Sequence, residues 1–486
     1  MILPPPPPAP RPPFALEALA RLPLAEAFYT LWAYLATDDT LDELFAQHRG
    51  RCYQDLLRFP ELVAVLADAL TRYHGSGRRA ITNALRRQQL STQARAVYGK
   101  LARLPLPLAE AFLAALTARL RPLFPPGLYR TALPDSLAGL AVVVLDGKKI
   151  KKAAKRLLAT RGRPGKLYGG KVLAAYLPAE GFVVALAADP DGEANDIRLV
   201  PRVLPLARVA VAGPRLWVAD RQFCDLVQAA AFTAEEGDHF LVRYHKKVHF
   251  CPDPARPAQR GQDRQGRAYE QEWGWLGAVK QGARRRYVRL ITLWRPGEEE
   301  VALITDLLDE APYPAADLLE VYLARWQVEN VFQAITEVFE LRHLIGCTPQ
   351  ATVFQASLCL VMYNVLQVLR GSAAVVAAEP VAVEALSAEQ IFADLHEELV
   401  GLHRVLDAEE LLGCLPPPAS ADQIGARLRA LLGRAWSASW RKAVNKKRRP
   451  HKPKQKELGA HTSVHKLLEA AKAASGEKQK ASVSSG

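Results

Sequence analysis

The sequence lacks the cysteine patterns that build zinc sites and disulfide frameworks. Its six cysteines are scattered along the chain, and none of them belongs to a CxxC pair. Zinc ribbons and disulfide-stapled scaffolds both depend on regular cysteine spacing. We therefore expect reduced thiols, as in a cytoplasmic protein.

The sequence also lacks a secretory signal and a long apolar run that is free of polar residues. The first residues, MILPPPPPAPRPPF, have no basic segment followed by an apolar one, and they are typical of a stiff, extended arm. No charged residue occurs from Leu344 to Leu369, but polar side chains such as Gln355 and Asn364 interrupt this stretch. We expect a buried helix here and no membrane span.

Motifs for nucleotide binding and for histidine metal sites are missing as well. The loop GRPGKLYGGK resembles a phosphate-cradling sequence, but it does not have the GxxxxGK[ST] spacing and follows no suitable strand. His245 and His249 have a spacing that suits a metal only on a helix, whereas YHKKVHF is predicted as a strand. These motifs indicate neither an ATP requirement nor a metal.

The composition is that of a basic globular protein. The chain has 486 residues, of which 49% are hydrophobic, so it can bury a sizeable core and is expected to hold more than one domain. Its formal net charge of +14 and pI of about 9.5 favour polyanionic partners. Charge alone does not separate nucleic acid from an acidic membrane.

The hydrophobic pattern predicts an α/β protein with flanking helical regions. Leu/Ala stripes at helical spacing fill the first part of the chain, and short runs rich in valine and leucine, typical of strands, begin near residue 136. Among these runs, KVLAAYLPAEGFVVALAADP predicts a hairpin through LPAEG, LARVAVAGPRLWVADRQF predicts a strand, and the runs after residue 238 predict mostly antiparallel strands. The predicted segments are a Pro-rich arm (1–13), a helical domain (14–135), an α/β domain (136–400) with a β-rich insertion (about 239–312), a helical region (401–433) and a basic, largely disordered tail (434–486).

Basic residues concentrate in three of these segments. HGSGRRAITNALRR predicts a turn before a helix with exposed arginines, which either contact DNA phosphates or form a solvated face. The span from Leu241 to Arg295 holds 13 Lys/Arg against 4 Asp/Glu, which makes the insertion a candidate phosphate-binding surface. The tail is strongly basic, with one or two helical turns expected in HKLLEAAKAA.

Two aspartates follow apolar strands. Asp146 closes the run AVVVL, which is apolar on both faces and is predicted to be a central strand, and Asp220 closes LWVAD. Taken alone, Asp146 also suits a turn, and Asp220 also suits the cap of the following helix, LVQAAA.

A third carboxylate lies on the predicted helix YLARWQVENVFQAITEVFELRHL. We expect one long amphipathic helix from Tyr322 to Leu344, with Tyr322, Arg325 and Glu329 on one face. A salt bridge explains Glu329 if it is considered alone. Together with the two aspartates, it can form a hard-oxygen site for two divalent cations that act on a phosphodiester.

The segments VVVLDG, WVADRQF and YLARWQVENVFQ resemble the three catalytic blocks of DDE transposases. They are most similar to the insertion-sequence-four family, which has a Tyr-Arg-Glu-Lys signature. The resemblance covers roughly residues 136 to 370 in the family's order, with a β-rich insertion before the glutamate. RWQVE, inside a predicted helix and preceded by a tyrosine, is its most specific element.

The resemblance implies a ribonuclease-H-like catalytic core that carries out cut-and-paste DNA transposition. It implies that Asp146, Asp220 and Glu329 hold two Mg²⁺ or Mn²⁺ ions, and that Tyr322 and Arg325 contact DNA phosphates. It also implies double-stranded DNA partners, namely transposon inverted repeats and target DNA, a homodimer in the DNA complex, and a cytoplasmic protein that associates with the nucleoid when acting.

One position departs from the signature. The family has a lysine seven residues after the glutamate, where this chain has Thr336. Loss of one phosphate contact weakens binding or transition-state stabilisation by an amount on the order of 1 to 3 kcal/mol. Other cations are candidates to supply the charge instead, namely Arg342 and His343 farther along the predicted helix, and Lys148, Lys149 and Lys151 after Asp146. The alternative is a catalytically impaired or domesticated DNA-binding protein derived from a transposase.

The insertion also carries a cluster of aromatic residues. By resemblance to the family, a tryptophan of the insertion holds a flipped base during hairpin formation, and Trp294, beside Arg295, is the candidate. Packing into the protein core is the alternative for Trp294, as for Trp273 and Trp275.

Overall fold

The structure, a computed structural model, describes residues 13–53, 56–125, 127–128, 133–295, 297–406, 408–415, 420–442 and 461–484. The Pro-rich arm predicted for residues 1–13 lies outside these ranges except for its last residue. Residues 443–460, a basic part of the predicted tail, also lie outside them.

Seven helices form the first part of the described chain, as the Leu/Ala stripes predict. They are α1 (Pro13–Ala20), α2 (Pro23–Leu35), α3 (Asp38–His48), α4 (Phe59–Thr71), α5 (Gly77–Arg86), α6 (Ala94–Leu101) and α7 (Leu106–Leu120). The side chains of Thr37 and Ser76 accept backbone N–H bonds at the starts of α3 and α5. Arg78, Arg79 and Arg86 are exposed on α5, which confirms the predicted turn followed by an arginine-bearing helix.

A large mixed sheet forms the centre of the protein. Its first strands are β1 (Ala141–Lys151), β2 (Leu167–Leu177), β3 (Phe182–Asp189), β4 (Arg215–Ala219) and β5 (Asp238–Arg243). β2 and β3 form the predicted antiparallel hairpin, whereas β1, β4 and β5 run parallel to one another. Because β1 lies between β2 and β4 and its first half is buried, the prediction of a covered central strand is confirmed.

The β-rich insertion extends this sheet. Its strands are β6 (Phe250–Pro252), β7 (Gln259–Gln262), β8 (Ala268–Leu276), β9 (Arg286–Leu293) and β10 (Val301–Thr305), and they pair antiparallel as predicted. β10 pairs with β5, so the insertion continues the edge of the central sheet. The mixed α/β architecture is consistent with a ribonuclease-H-like core.

Helices cover the faces of the sheet. α8 (Val200–Ala210) and α9 (Leu226–Phe232) lie between strands in the chain, and α12 (Pro349–Val376) packs against α7, β2 and β3. α12 is long and apolar enough to cross a membrane, with a mean hydropathy of 1.5 over its most apolar 18-residue window, but that whole window is buried inside the protein. This burial supports the interpretation of α12 as a core helix.

The C-terminal helices return to the N-terminal part of the chain. They are α13 (Ala388–Val405), α14 (Ala408–Cys414) and α15 (Ala421–Ala435), and α15 packs on both α2 and α12. β11 (Thr462–Ser463) then pairs parallel with the start of β2, and α16 (Val464–Ser484) follows it. The prediction of one or two helical turns in a largely disordered tail is therefore wrong for residues 461–484, because pairing with β2 anchors this segment.

Two predictions about secondary structure are also wrong. The run LARVAVA, predicted as part of a strand, belongs mainly to α8, whose buried Val203, Leu204 and Ala207 repeat at helical spacing. The predicted long helix consists of two helices, α10 (Ala315–Ala324) and α11 (Gln327–Glu337). Between them the N–H groups of Arg325 and Val328 bond to carbonyls three residues earlier, which tightens the turn and interrupts the α-helical bonding.

Candidate active site

The register of β1 and β4 brings two carboxylates to neighbouring strands. Leu145 on β1 pairs with Ala219, the last residue of β4, and Asp146 and Asp220 are the residues that come next in the chain. Neighbouring strands lie about 4.8 Å apart. Asp146 is not at the end of its strand as predicted, because β1 continues to Lys151 by pairing with β2. Asp146 instead lies where the parallel partner strand ends.

Asp220 is held by the turn that follows it. Its Oδ1 accepts the backbone N–H of Gln222 at 2.9 Å, which caps the short 3₁₀ turn from Arg221 to Phe223. The helix LVQAAA is capped by Asp225 and not by Asp220. The alternative of Asp220 as the cap of α9 is therefore wrong.

The pKa of Asp146 is raised, and the charges of the other candidate carboxylates contribute to this shift. Burial raises the pKa of Asp146 to about 7, and the negative charges of Asp220 and Glu329 also raise it. Arg325 and a 3.0 Å hydrogen bond from the N–H of Gly147 act in the opposite direction. The three carboxylates and Arg325 therefore occupy one electrostatic neighbourhood.

The break between α10 and α11 orients the residues of the RWQVE motif. Tyr322 and Arg325 are buried, whereas Glu329 is exposed in the first turn of α11. The guanidinium of Arg325 lies 5.7 Å from the ring centre of Tyr322 and 5.9 Å from that of Trp326. Trp326, which lies between α10 and α11, is 61% exposed.

Arg325 retains an unused donor. Its side chain is almost fully buried, and among the described residues its Nε has no hydrogen-bond partner. A buried guanidinium with a free donor is suited to an oxyanion such as a phosphate. Burial raises the pKa of Tyr322, whereas the charge of Arg325 lowers it, so the two side chains also interact electrostatically.

The carboxylates match a divalent cation in donor chemistry. Asp146, Asp220 and Glu329 offer hard oxygens, which Mg²⁺ and Mn²⁺ prefer. The negative charges of Asp220 and Glu329 disfavour ionisation of Asp146, and a bound cation would offset this repulsion. Within the described ranges, however, no group of three or more His, Cys, Asp or Glu side chains is arranged to hold a metal ion. The three carboxylates therefore interact electrostatically, but in this structure their oxygens do not converge on one metal position.

Lys148 of β1 extends to α11 beside Thr336, the position at which the family signature has a lysine. The Nζ of Lys148 donates to the carbonyl oxygen of Phe332 at 3.4 Å and lies 5.5 Å from the centre of the Phe332 ring. Thr336 Oγ1 donates to the same carbonyl oxygen at 2.6 Å. Burial lowers the pKa of Lys148. Arg342, another candidate, pairs with Glu340 at 2.6 Å.

Lys149 faces a different environment. Its side chain is exposed, and its Nζ lies 5.5 Å from the centre of the Tyr168 ring. The alternation of a strand turns Lys148 and Lys149 to opposite faces of β1. Lys148 therefore contacts α11, whereas Lys149 lies beside Tyr168 of β2.

An open cleft of about 930 Å³ begins beside Asp220. Arg221, the next residue, lines it together with Arg243, Arg295 and Trp294. Trp294 follows β9 and is 40% exposed, whereas Trp273 is fully buried and donates its ring N–H to the carbonyl oxygen of Leu308. Core packing therefore explains Trp273, and Trp294 remains accessible to a ligand.

Three consecutive glutamates neutralise part of the basic lining of this cleft. Glu299 pairs with Arg243 at 2.9 Å and with Arg221 at 3.8 Å. Glu300 pairs with Lys246 at 3.2 Å, and Glu298 pairs with Arg295. The side chains of all three glutamates are at least 41% exposed, so each of these ion pairs is weak and easily exchanged.

The predictions from sequence missed a buried ion pair beneath β1. Lys171 of β2 and Asp196 are both buried, and their Nζ and Oδ1 atoms lie 2.5 Å apart. Two weak features of the sequence could have indicated this ion pair. One is a lysine in the otherwise apolar run GGKVLAAY, and the other is the glycine directly after Asp146.

The structure is a mixed α/β fold in which two acidic residues lie next to each other at neighbouring strands of the sheet. Residues 138–365 match the family described as Transposase DDE domain, a range that includes all three carboxylates. The match supports a DDE transposase, and such domains generally use divalent metals and act on DNA. A search of curated proteins finds no match to the chain.

Proposed function

We propose that the protein is a DNA transposase of the insertion-sequence-four type, which cleaves and joins phosphodiester bonds at transposon ends. The observation that carries this proposal is the register of β1 and β4. It brings Asp146 and Asp220 to neighbouring strands, in the electrostatic neighbourhood of Glu329 and Arg325. The residues matched to the Transposase DDE domain contain all four side chains.

Asp146, Asp220 and Glu329 would hold two Mg²⁺ or Mn²⁺ ions. When bound, such ions lower the pKa of an attacking water or 3′-hydroxyl and stabilise the leaving oxygen. The raised pKa of Asp146 supports this role, because a buried carboxyl beside two others gains most from a cation.

Four other side chains would bind the phosphates. Arg325 has a free, buried Nε, and Tyr322 lies against it. Lys148 supplies a positive charge beside Thr336, where the signature has a lysine. Lys149 is exposed on the opposite face of β1 and would make a peripheral contact. These side chains orient the scissile phosphate and stabilise charge that develops on it.

The cleft beside Asp220 would hold the DNA next to the cleavage site. Its arginines suit the backbone, and Trp294 is accessible for stacking on an extruded base. The exposed arginines of α5 would add contacts farther along the duplex. By resemblance to the family, the protein acts as a homodimer in the DNA complex, in which each subunit cuts the end held by its partner, and it works in the bacterial cytoplasm at the nucleoid.

The experiment is a cleavage and strand-transfer assay on the inverted repeats that flank the gene. Purified full-length protein is incubated with labelled end DNA and Mg²⁺ or Mn²⁺, beside the Asp146→Asn variant. We expect nicked and joined products from the wild-type protein and a loss of at least about a thousandfold in the variant. If the Asp146→Asn variant still cleaved DNA, the assignment of Asp146 to the catalytic site would be wrong.

A second candidate function is DNA binding without catalysis, in a protein derived from a transposase. Thr336 is the observation that favours it, because the signature lysine is absent from α11. The same assay separates the two functions. Specific binding to the inverted repeats with no nicking in either metal would establish the second function and exclude the first.

A further inference from the structure

The buried ion pair of Lys171 and Asp196 lies directly against the strand that carries Asp146. Lys171 Nζ contacts Asp196 and also donates to the carbonyl oxygen of Ala194 at 2.7 Å. A buried carboxylate is stable only when its charge is compensated, and Lys171 supplies the opposite charge, although Asp196 Oδ1 has no hydrogen-bond partner within the described residues. Asp196 is thus fixed in place by a lysine from the neighbouring strand.

Gly147 makes close packing with Asp196 possible. A Cβ atom at position 147 would lie 2.2 Å from Asp196 Oδ1, which is far inside the contact distance. Every other residue type at this position would push the carboxylate away. The backbone immediately after Asp146 therefore rests on the Asp196 carboxylate.

Gln222 connects the same carboxylate to the second candidate aspartate. Its side-chain Nε2 donates to Asp196 Oδ2 at 2.6 Å, and its backbone N–H donates to Asp220 Oδ1 at 2.9 Å. One residue thus bonds to the buried anion on one side and to Asp220 on the other. No charge is added, because the glutamine amide is neutral.

We infer that Asp196 and Gln222 are positioning residues that fix Asp146 and Asp220 relative to each other. The inference rests on the proposed function, since it assigns Asp146 and Asp220 to the reaction. The two aspartates carry like charges and repel one another when ionised. A rigid connection between their backbones through Gly147, Asp196 and Gln222 opposes that repulsion and preserves their spacing.

The test uses Gln222→Ala in the full-length protein, because this change leaves the buried ion pair intact. The matched control is Gln47→Ala, an exposed glutamine on α3. Three quantities are measured in addition to the melting temperature: the single-turnover cleavage rate, the affinity for end DNA without divalent metal, and the affinity for Mn²⁺ by electron paramagnetic resonance.

We expect Gln222→Ala to reduce the cleavage rate and the Mn²⁺ affinity by about tenfold or more, as loss of a residue that orients a ligand does. DNA affinity and melting temperature stay at the wild-type values, as do all four quantities in the control. Gln222→Glu, which has nearly the same shape but no amide donor, is expected to lose at least as much as the alanine variant.

Wild-type cleavage and Mn²⁺ binding in Gln222→Ala would overturn the inference while leaving the proposed function intact. If the wild-type protein itself does not cleave DNA, the proposed function fails instead. In that case the Mn²⁺ measurement still decides the positioning role, since it needs no DNA and no turnover.

Discussion

Lys148 and Thr336 donate hydrogen bonds to the same acceptor, the carbonyl oxygen of Phe332. The lysine comes from β1 and the threonine from α11, so two distant parts of the sequence meet at one point. The signature of the resembling family has its lysine at the threonine position. A cation is therefore present in the neighbourhood of that position, although α11 does not supply it.

Removal of the Lys148 ammonium is expected to slow DNA cleavage. Lys148→Ala deletes one charged contact to the phosphate, which is worth about 1 to 3 kcal/mol, or roughly ten- to a hundredfold in rate. The single-turnover rate on end DNA measures the effect.

A lysine introduced on α11 provides the control for this prediction. In the double variant Lys148→Ala/Thr336→Lys, the new ammonium starts from the signature position, and we expect most of the lost rate to return. Rates that stay equally low in the double variant would show that Lys148 acts through packing on Phe332 and not through its charge.

The acidity of Asp146 predicts a pH-dependent gain in stability for Asp146→Asn in the absence of metal. The pKa of Asp146 in the folded protein, about 7, lies above the unfolded value of about 3.9. Folding therefore takes up a proton between these values, and the contribution of Asp146 to stability falls as the pH rises from about 4 to about 7. Asparagine does not ionise, so it avoids this loss.

We expect the melting temperatures of wild type and Asp146→Asn to agree near pH 4. The variant should become more stable as the pH rises, by on the order of 1 to 4 kcal/mol above pH 7. Thermal unfolding in EDTA across this range measures the difference. A difference that does not change with pH would show that Asp146 has an ordinary pKa.

Divalent metal should reduce the stability advantage of Asp146→Asn over the wild-type protein at pH 8. A cation that binds the folded state stabilises it by about 2.7 kcal/mol at a concentration one hundred times the dissociation constant. We expect Mn²⁺ to raise the melting temperature of the wild-type protein, EDTA to abolish the gain, and Asp146→Asn to respond little. An equal response in both proteins would place the metal elsewhere.

The sequence was sufficient to predict the central strand but not its length, since β1 continues past Asp146 to Lys151. An apolar run without alternation indicates a strand covered on both faces, and β1 has that environment. The hairpin of β2 and β3 followed from the turn residues between two apolar runs. In both cases short-range pattern and tertiary burial agree.

The break between α10 and α11 was beyond prediction from periodicity. Arg325 and Trp326 both have helical dihedral angles, and only the hydrogen-bond partners change from four to three residues apart. The contact of Lys148 with Phe332 was also out of reach, because the sequence does not state which of several cations packs on α11. The helix break and the Lys148 contact both depend on tertiary packing, which periodicity does not describe.

Glu299 is expected to weaken DNA binding, because it occupies two arginines of the cleft. It pairs with Arg243 and Arg221, which are the groups that phosphates would use. Glu299→Gln frees both guanidinium groups without changing the size of the side chain. We expect end DNA to bind several-fold more tightly, with a salt dependence steeper by about one to two units in the slope of log affinity against log salt. Fluorescence anisotropy at several salt concentrations measures both quantities.

The matched control is Glu379→Gln, which removes an exposed glutamate paired with Arg441 at 3.0 Å outside the cleft. The control changes the net charge equally, so an equal gain in both variants would show that total charge and not the cleft governs binding.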